Sequence, residues 1–414
     1  MEPKQDDYIP RAIEKTLAAT AVNFPVTTVC GPRQVGKTTL LRNTLPRQGD
    51  LSWVTLDDPL SRAAAKSDPG LFLQRYPAPL VIDEFQYAPE LLPHIKMRVD
   101  EEGGDGRYFL TGSQLFSMMR NVGESLAGRV GVLSLYSLSE AELAGRGGEF
   151  FLPGAFDAVA RARESKTDLP TIANRIFRGG MPRMVVRPDL TPDVFFGSYV
   201  QTYLERDIRD LALVRDETRF IRFISCVAAR TGQEVVYEDL ARAAEVDNNT
   251  ARSWLSLLAA TGIVFLLQPW AANLTKRIVK RPKLYFMDTG LCCYLAHASN
   301  PRTLMVSQLA GPMFETFVAT QIIKSFASRG MDPHHYLYYY RDKNGNEIDM
   351  LIAHENKLHP VEIKLSSDPG RHAARHFRLV PELGLARGHG AVICMSPNVV
   401  PIDALTDILP VQVV

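Results

Sequence analysis

The chain has 414 residues, 46% of them hydrophobic and 22% charged, with a formal net charge of +1. That apolar content can fill two or three cores, and near-neutrality excludes binding to nucleic acid by bulk charge, so any such contact must rest on local patches. No apolar run approaches the roughly 18 residues of a membrane span, and the start Met-Glu-Pro-Lys-Gln-Asp-Asp does not read as a signal peptide. Cys30, Cys226, Cys292, Cys293 and Cys394 are odd in number and lack C-x-x-C pairing, which argues against a disulfide frame or a zinc site. The expected location is the cytoplasm.

In chain order, the first informative segment is a β-branched run from Phe24 to Cys30, followed by Gly31-Pro32-Arg33-Gln34-Val35-Gly36-Lys37-Thr38 and then helix-like Thr39-Leu40-Leu41-Arg42. The eight residues satisfy G-x-x-x-x-G-K-[ST], the Walker A pattern, in its required strand–loop–helix setting. The glycines let backbone N–H groups turn toward the β- and γ-phosphates of ATP, Lys37 brings a point charge, and the Thr38 hydroxyl is left for Mg²⁺. Residues 31–39 are therefore the expected nucleotide contacts. Pro79-Leu80-Val81-Ile82-Asp83-Glu84 is an apolar strand ending in two carboxylates, a Walker B pattern. Asp83 is placed to serve the Mg²⁺ shell and Glu84 to polarise the attacking water; binding alone would not need the second acid. Arg107 to Gln114 reads as a further strand with a small polar tip, where Ser113, and after it Thr111, is the candidate contact to the γ-phosphate.

Walker A, Ile82-Asp83-Glu84-Phe85-Gln86, Leu110-Thr111-Gly112-Ser113 and Ser125-Leu126-Ala127-Gly128-Arg129 follow one another in this order. Together with Leu138-Ser139-Glu140, Gly179-Gly180-Met181-Pro182 and Tyr203-Leu204-Glu205-Arg206-Asp207-Ile208, they make the chain resemble the AAA-type ATPases that bacteria and archaea couple to a C-terminal module of uncharacterised role. The resemblance implies an AAA+ P-loop core with an additional-strand, three-layer parallel sheet, a helical lid and a homo-oligomer, whole or partial ring. It also implies an arginine that completes the neighbouring subunit's site, for which Arg129 is the first candidate and Arg120 and Arg206 the next.

Glycines and prolines at 145–154 mark the end of the central sheet. The pattern from about 156 to 210 is helical. Beyond Val214-Arg215-Asp216, apolar spacing at Phe220, Phe223, Ile224 and Val227 predicts one helix, and Tyr237 to Ala244 a second. Ala251 to Thr261, capped by Asn248-Asn249-Thr250 and ended by Gly262, is a third. With strand-like Ile263 to Leu267, these resemble a helix-turn-helix with a wing. Arg252 on the third helix and Lys276, Arg277, Lys280, Arg281 and Lys283 in the wing are candidate DNA contacts, and such contacts would make binding salt-dependent. A winged helix can equally be a structural or protein-binding element. Trp254 reads as core.

In the C-terminal third, Gly311 to Ile322 opens an amphipathic helix. Tyr338 to Arg341 and Asn346 to Ile352 read as strands around an Asn-Gly turn, and Pro360 to Leu365 as a strand placing Glu362 and Lys364 on one face. Asp349, thirteen residues before Glu362-x-Lys364, resembles the PD-(D/E)xK nuclease core, although Ile348 stands where that pattern has proline. The resemblance implies Mg²⁺ held by Glu315, Asp349 and Glu362, with Lys364 serving the attacking water. Arg371, Arg375 and Arg378 at helical spacing offer a face for a nucleic-acid backbone, or simply a charged surface helix.

The expected organisation is an α/β chain: ATPase core over 1–150, lid and connector over 151–213, a winged-helix-like module over 214–300 and a nuclease-like domain over 301–414. The expected function is ATP binding and hydrolysis, with Mg²⁺, directed to remodelling, moving or cutting DNA. The alternatives are a nucleotide-dependent, antitoxin-like switch that binds a protein partner, and a DNA remodeller whose nuclease-like fold only binds.

Overall fold

The computed structural model describes residues 8–45, 51–112, 126–164, 167–204, 216–271 and 281–414. Ser113, Arg120, Arg206, Lys276, Arg277 and Lys280 lie outside these segments.

The N-terminal part is built on β1 (Val26–Cys30), β2 (Ser52–Thr55), β3 (Leu80–Asp83), β4 (Tyr108–Gly112) and β5 (Val130–Ser134), in the spatial order β2-β3-β4-β1-β5. Every neighbouring pair is parallel. Strands β1, β3 and β4 are buried along their whole length, as expected of a parallel sheet covered on both faces, whose strands read as continuous apolar runs. Because β4 lies between the strands carrying Walker A and Walker B, the carboxyl ends of β1, β3 and β4 meet at one edge. The parallel sheet that the family resemblance implied, with a strand added between those carrying Walker A and Walker B, is the sheet observed.

Four helices, Ala158–Glu164, Leu169–Arg178, Pro182–Val186 and Pro192–Tyr199, follow the sheet. Glu217–Ala228, Tyr237–Ala244 and Asn248–Ala260 come next, with a three-stranded antiparallel sheet of β6 (Gln233–Glu234), β7 (Val264–Leu267) and β8 (Lys283–Phe286) in the order β6-β8-β7. The third helix starts earlier than its sequence suggested. Asp247 is its cap, accepting from Asn249 N and Thr250 N, so that Asn248 to Thr250 form its first turn. Trp254 is core, its ring meeting Phe220 and Phe223 edge-on.

The C-terminal part is a mixed sheet of β9 (Leu337–Arg341), β10 (Glu347–His354), β11 (Lys357–Lys364), β12 (Ala386–Arg387), β13 (Gly390–Cys394), β14 (Val400–Asp403) and β15 (Thr406–Pro410). Helix Ala310–Ala327 packs against β11 and β8. Arg371–Leu383, expected as an α-helix, is instead wound as a 3₁₀ segment with Pro381 inside it. Proline removes an N–H and cannot enter an α-helical interior without a clash, which favours this local i→i+3 winding. One apolar cluster runs from Val35 and Leu135 through Met181, Ile263 and Leu291 to Phe314 and Ile352, so the successive segments share a core. Among the described residues no helix is long and apolar enough to cross a membrane.

Candidate functional site

At the carboxyl end of β1 the chain turns at Gly31, whose φ is +149°. A Cβ there would lie 1.9 Å from the Leu135 carbonyl oxygen, so only glycine fits. Gly36 is left-handed at φ 95° and opens helix Lys37–Thr44. The first helical N–H groups thus point out of the loop, the arrangement that receives phosphate oxygens. Lys37 is buried and its Nζ donates to Gly31 O and Pro32 O, each at 2.9 Å. Burial pulls its pKa down, against the pull of Glu84, Cys30 and Asp83.

Asp83 ends β3 facing the loop. The Thr38 hydroxyl donates to its two oxygens, at 3.0 and 3.1 Å, and the Thr111 hydroxyl donates to Oδ1. Thr111, the second choice for the sensor position, is therefore in the site. Glu84 sits at φ 54°, ψ 44°, a conformation uncommon outside glycine that turns the chain sharply after Asp83. Its N–H donates to Thr111 Oγ1 at 3.3 Å, and Gln86 Nε2 donates to Oε2. Burial raises the Glu84 pKa, opposed by Lys37, the direction useful in a proton acceptor.

Arg11 belongs to this site and carries no motif signal. Buried, it donates from Nη1 to Val35 O at 2.9 Å, from Nη2 to Tyr136 O at 2.8 Å and from Nε to Glu142 Oε1 at 2.9 Å. It thereby ties the Walker A loop to the capping box formed by Ser139 and Glu142. The box itself was legible as Ser-x-x-Glu. Arg129 precedes β5, whose first residue pairs with the start of β1. It lies at the opposite end of the sheet from Gly31, bound through Nε and Nη2 to Asp100 at 2.5 and 3.1 Å. It is not part of its own nucleotide site.

The second constellation lies in the C-terminal sheet. Hairpin β10–β11 pairs Met350 with Val361, which brings Asp349 beside Glu362, and Ile363 N donates to Asp349 Oδ2 at 2.8 Å. Lys364 Nζ is 2.6 Å from Glu362 Oε1 and 3.6 Å from Asp349 Oδ2. Glu315 arrives from helix Ala310–Ala327 and accepts from Tyr285 OH at 2.6 Å. All four residues singled out in the sequence are brought together.

A fifth residue joins them. Lys283, expected on the wing as a phosphate-reaching cation, is instead buried, its side chain 3% exposed, and ion-paired with Glu315 at 3.0 Å, with Asp349 at 3.7 Å and with Glu347. It opens β8, and its own side chain ends among acids of the C-terminal part, so it is unavailable to DNA. Burial alone would lower its pKa; Tyr285, Glu315, Asp349 and Glu347 overcome that and hold it well above the ordinary lysine value. Burial and the Asp349 charge push Glu315 up to about 7 and Glu362 up to about 8. Among the described residues, no group of three or more His, Cys, Asp or Glu side chains is arranged to hold a metal ion. In this arrangement the three acids do not fit the metal expected of them, because an ammonium group already answers two of them.

Beside Glu362 and Lys364 opens a cleft of about 340 Å³ that His372, Arg375 and His376 also line. Arg375 donates to His376 Nε2 at 2.8 Å, and its Nη1 lies 2.7 Å from His372 Nε2. Arg371 and Arg375 are exposed, as are Arg281 and Arg252, the last lying 4.1 Å over the Tyr237 ring.

The sheet order and the loop, Lys37, Thr38 and Asp83 around one edge define a P-loop ATPase domain. Residues 23–144 match an AAA domain family, and the chain carries an AAA-type ATPase domain there. Residues 169–302 and 310–414 match two domains of unknown function, DUF8612 and DUF4143. Uncharacterised proteins of Mycobacterium bovis and Mycobacterium tuberculosis are each 29% identical over 365 residues, covering 88% of this chain and 75% of theirs. Among solved structures, a Walker-type ATPase of Pyrococcus abyssi overlaps at a TM-score of 0.46 and 16% identity, over 70% of this chain and 97% of that one. The RuvB Holliday junction branch migration motor of Thermotoga maritima overlaps at 0.30 and 15%, over 63% and 91%.

Proposed function

We propose that the chain hydrolyses ATP at the Lys37–Asp83–Glu84 site, as a homo-oligomer, and uses the cycle to act on DNA. The residues fit the nucleotide. The loop N–H groups and Lys37 would receive the phosphates, with Lys37 leaving the Gly31 and Pro32 carbonyls, and Thr38 and Asp83 would hold the magnesium ion. Bound there, the ion neutralises charge on the phosphates. Glu84 would take up the proton of the attacking water, and Thr111 would keep Asp83 oriented. In an oligomer, Arg129 would have to leave Asp100 to serve a neighbour's site.

The observation that carries the coupling is the packing of the Walker A loop on the middle module. A Cβ on Gly262 would lie 3.1 Å from Pro32 Cδ, and Gly262 leads into β7, whose last residue Leu267 pairs with Lys283. At ~3.3 Å per residue, the five steps from Gly262 to Leu267 span about 17 Å along one strand. Movement of Pro32 on nucleotide binding has a direct route to the C-terminal sheet. Exposed Arg252, Arg281, Arg371 and Arg375 and the cleft beside Lys364 would offer contacts to a DNA backbone. Closure of the carboxylate cluster by Lys283 favours DNA engagement without cleavage.

The test is the ATP hydrolysis rate of the full chain, with Lys37→Ala as blank, alone and with single-stranded, duplex and branched DNA across a salt series. Stimulation by one DNA form, fading steeply with salt, is expected. A rate indifferent to every DNA overturns the DNA reading. It leaves the nucleotide-dependent switch with a protein partner, which the near-neutral net charge and the closed cluster would also suit.

A further inference from the structure

Lys283 is the first residue of β8, and its pairing with Leu267 of β7 and Glu234 of β6 fixes where its side chain starts. The side chain passes beside the Tyr339 ring, its Nζ 5.7 Å from the centroid, and ends among Glu315, Glu347 and Asp349. An ammonium group offers three N–H donors and a single charge. It can satisfy carboxylate oxygens but, having no site for a further ligand, it cannot bind and ionise a water as a metal ion does. A divalent ion on the same oxygens would sit about 2.0–2.6 Å from each, in the volume the nitrogen holds.

One acid of the cluster, Glu362, is paired with Lys364 and not with Lys283. Glu362 is buried and, among the described residues, its Oε2 has no hydrogen-bond partner, while its other oxygen meets Lys364. Four carboxylates, Glu315, Glu347, Asp349 and Glu362, face two ammonium groups, Lys283 and Lys364. The cluster is rich enough in acid to attract a cation, and the two it has, Lys283 and Lys364, are covalently part of the chain.

We propose that Lys283 is a resident cation standing in the place of a divalent metal ion, so that the carboxylate cluster is the joint between the middle and C-terminal modules and not a metal-dependent hydrolytic centre. The joint has other fastenings. Tyr339 OH donates to Glu234 Oε1 at 3.0 Å, and Trp270 N donates to Tyr339 O at 2.6 Å.

The test is a Mn²⁺ titration of the nucleotide-free full chain, followed by electron paramagnetic resonance of the free ion, in an Asp83→Asn background that silences the Walker site. With Lys283 intact, no Mn²⁺ should bind in the millimolar range. Lys283→Met should gain one Mn²⁺ per chain, lost again when Asp349→Asn is added. Binding by the chain with Lys283 intact that disappears with Asp349→Asn overturns the proposal, as does a folded Lys283→Met that binds nothing. If Lys283→Met does not fold, the titration with Lys283 intact decides alone. The titration contains no DNA or nucleotide, so its result is separate from that of the ATPase assay.

Discussion

Two buried lysines, each near carboxylates, sit in this molecule in opposite ways. Lys37 turns to the carbonyls of Gly31 and Pro32 and leaves Asp83 to two hydroxyls, Thr38 and Thr111. Lys283 lies directly on Glu315, Glu347 and Asp349. Carbonyls are weak partners that a phosphate can replace, and hydroxyls can share a carboxylate with a metal ion. A buried charge pair is different, because breaking it strands a desolvated charge. The difference separates a site built to exchange ligands from one built to stay closed.

The contrast breaks first at the Walker site. Lys37→Ala should abolish ATP turnover, and Glu84→Gln should keep nucleotide binding while lowering hydrolysis on the order of 10²–10⁴-fold. Unchanged turnover in Glu84→Gln would remove it from the role of base. Next is the joint. Lys283→Met should destabilise the fold by about 3–5 kcal/mol, read as a denaturation midpoint, whereas Lys37→Ala should cost far less because its partners are carbonyls that water can serve. Equal losses would erase the distinction.

Between the two regions lies Gly262, at φ +72° and against Pro32. Gly262→Ala should leave nucleotide binding intact yet reduce stimulation of the ATPase by DNA roughly fivefold or more, the lower range of a coupling energy between sites. The smallest effect is on pH. Glu315 and Glu362 have pKa values raised in the fold, to about 7 and about 8, so they stabilise it below the ordinary carboxylate range and that stability is lost as pH rises through those values. The melting temperature should fall by a few degrees between about pH 5 and pH 8 and level off above, and fall by less in Glu362→Gln.

What the sequence could reveal follows the same divide. The Walker residues are contiguous and their strand–loop–helix setting is local, so the grouping of Lys37, Thr38 and Asp83 was legible. Ser113, by contrast, lies outside the described residues, Arg129 stands apart on Asp100, and Arg11 reaches the loop from a stretch with no pattern of its own. Asp349, Glu362 and Lys364 were legible because one hairpin holds them. Lys283 was not. In a run with Lys276, Arg277, Lys280 and Arg281 it looks like one more surface cation, and its partners lie over 30 residues away on other elements. The clue was its place at the head of Lys283-Leu284-Tyr285-Phe286, where alternation puts it on the same face as a buried tyrosine. The 3₁₀ path of Arg371–Leu383 escaped similarly, since the spacing of its arginines suits an α-helix while Pro381 does not.

The most direct measurement of the central claim is the number of Mn²⁺ ions bound per chain with and without a non-hydrolysable ATP analogue. The account predicts one with the analogue, absent in Lys37→Ala, and none without it. A second ion, bound without nucleotide and lost in Asp349→Asn, would contradict it.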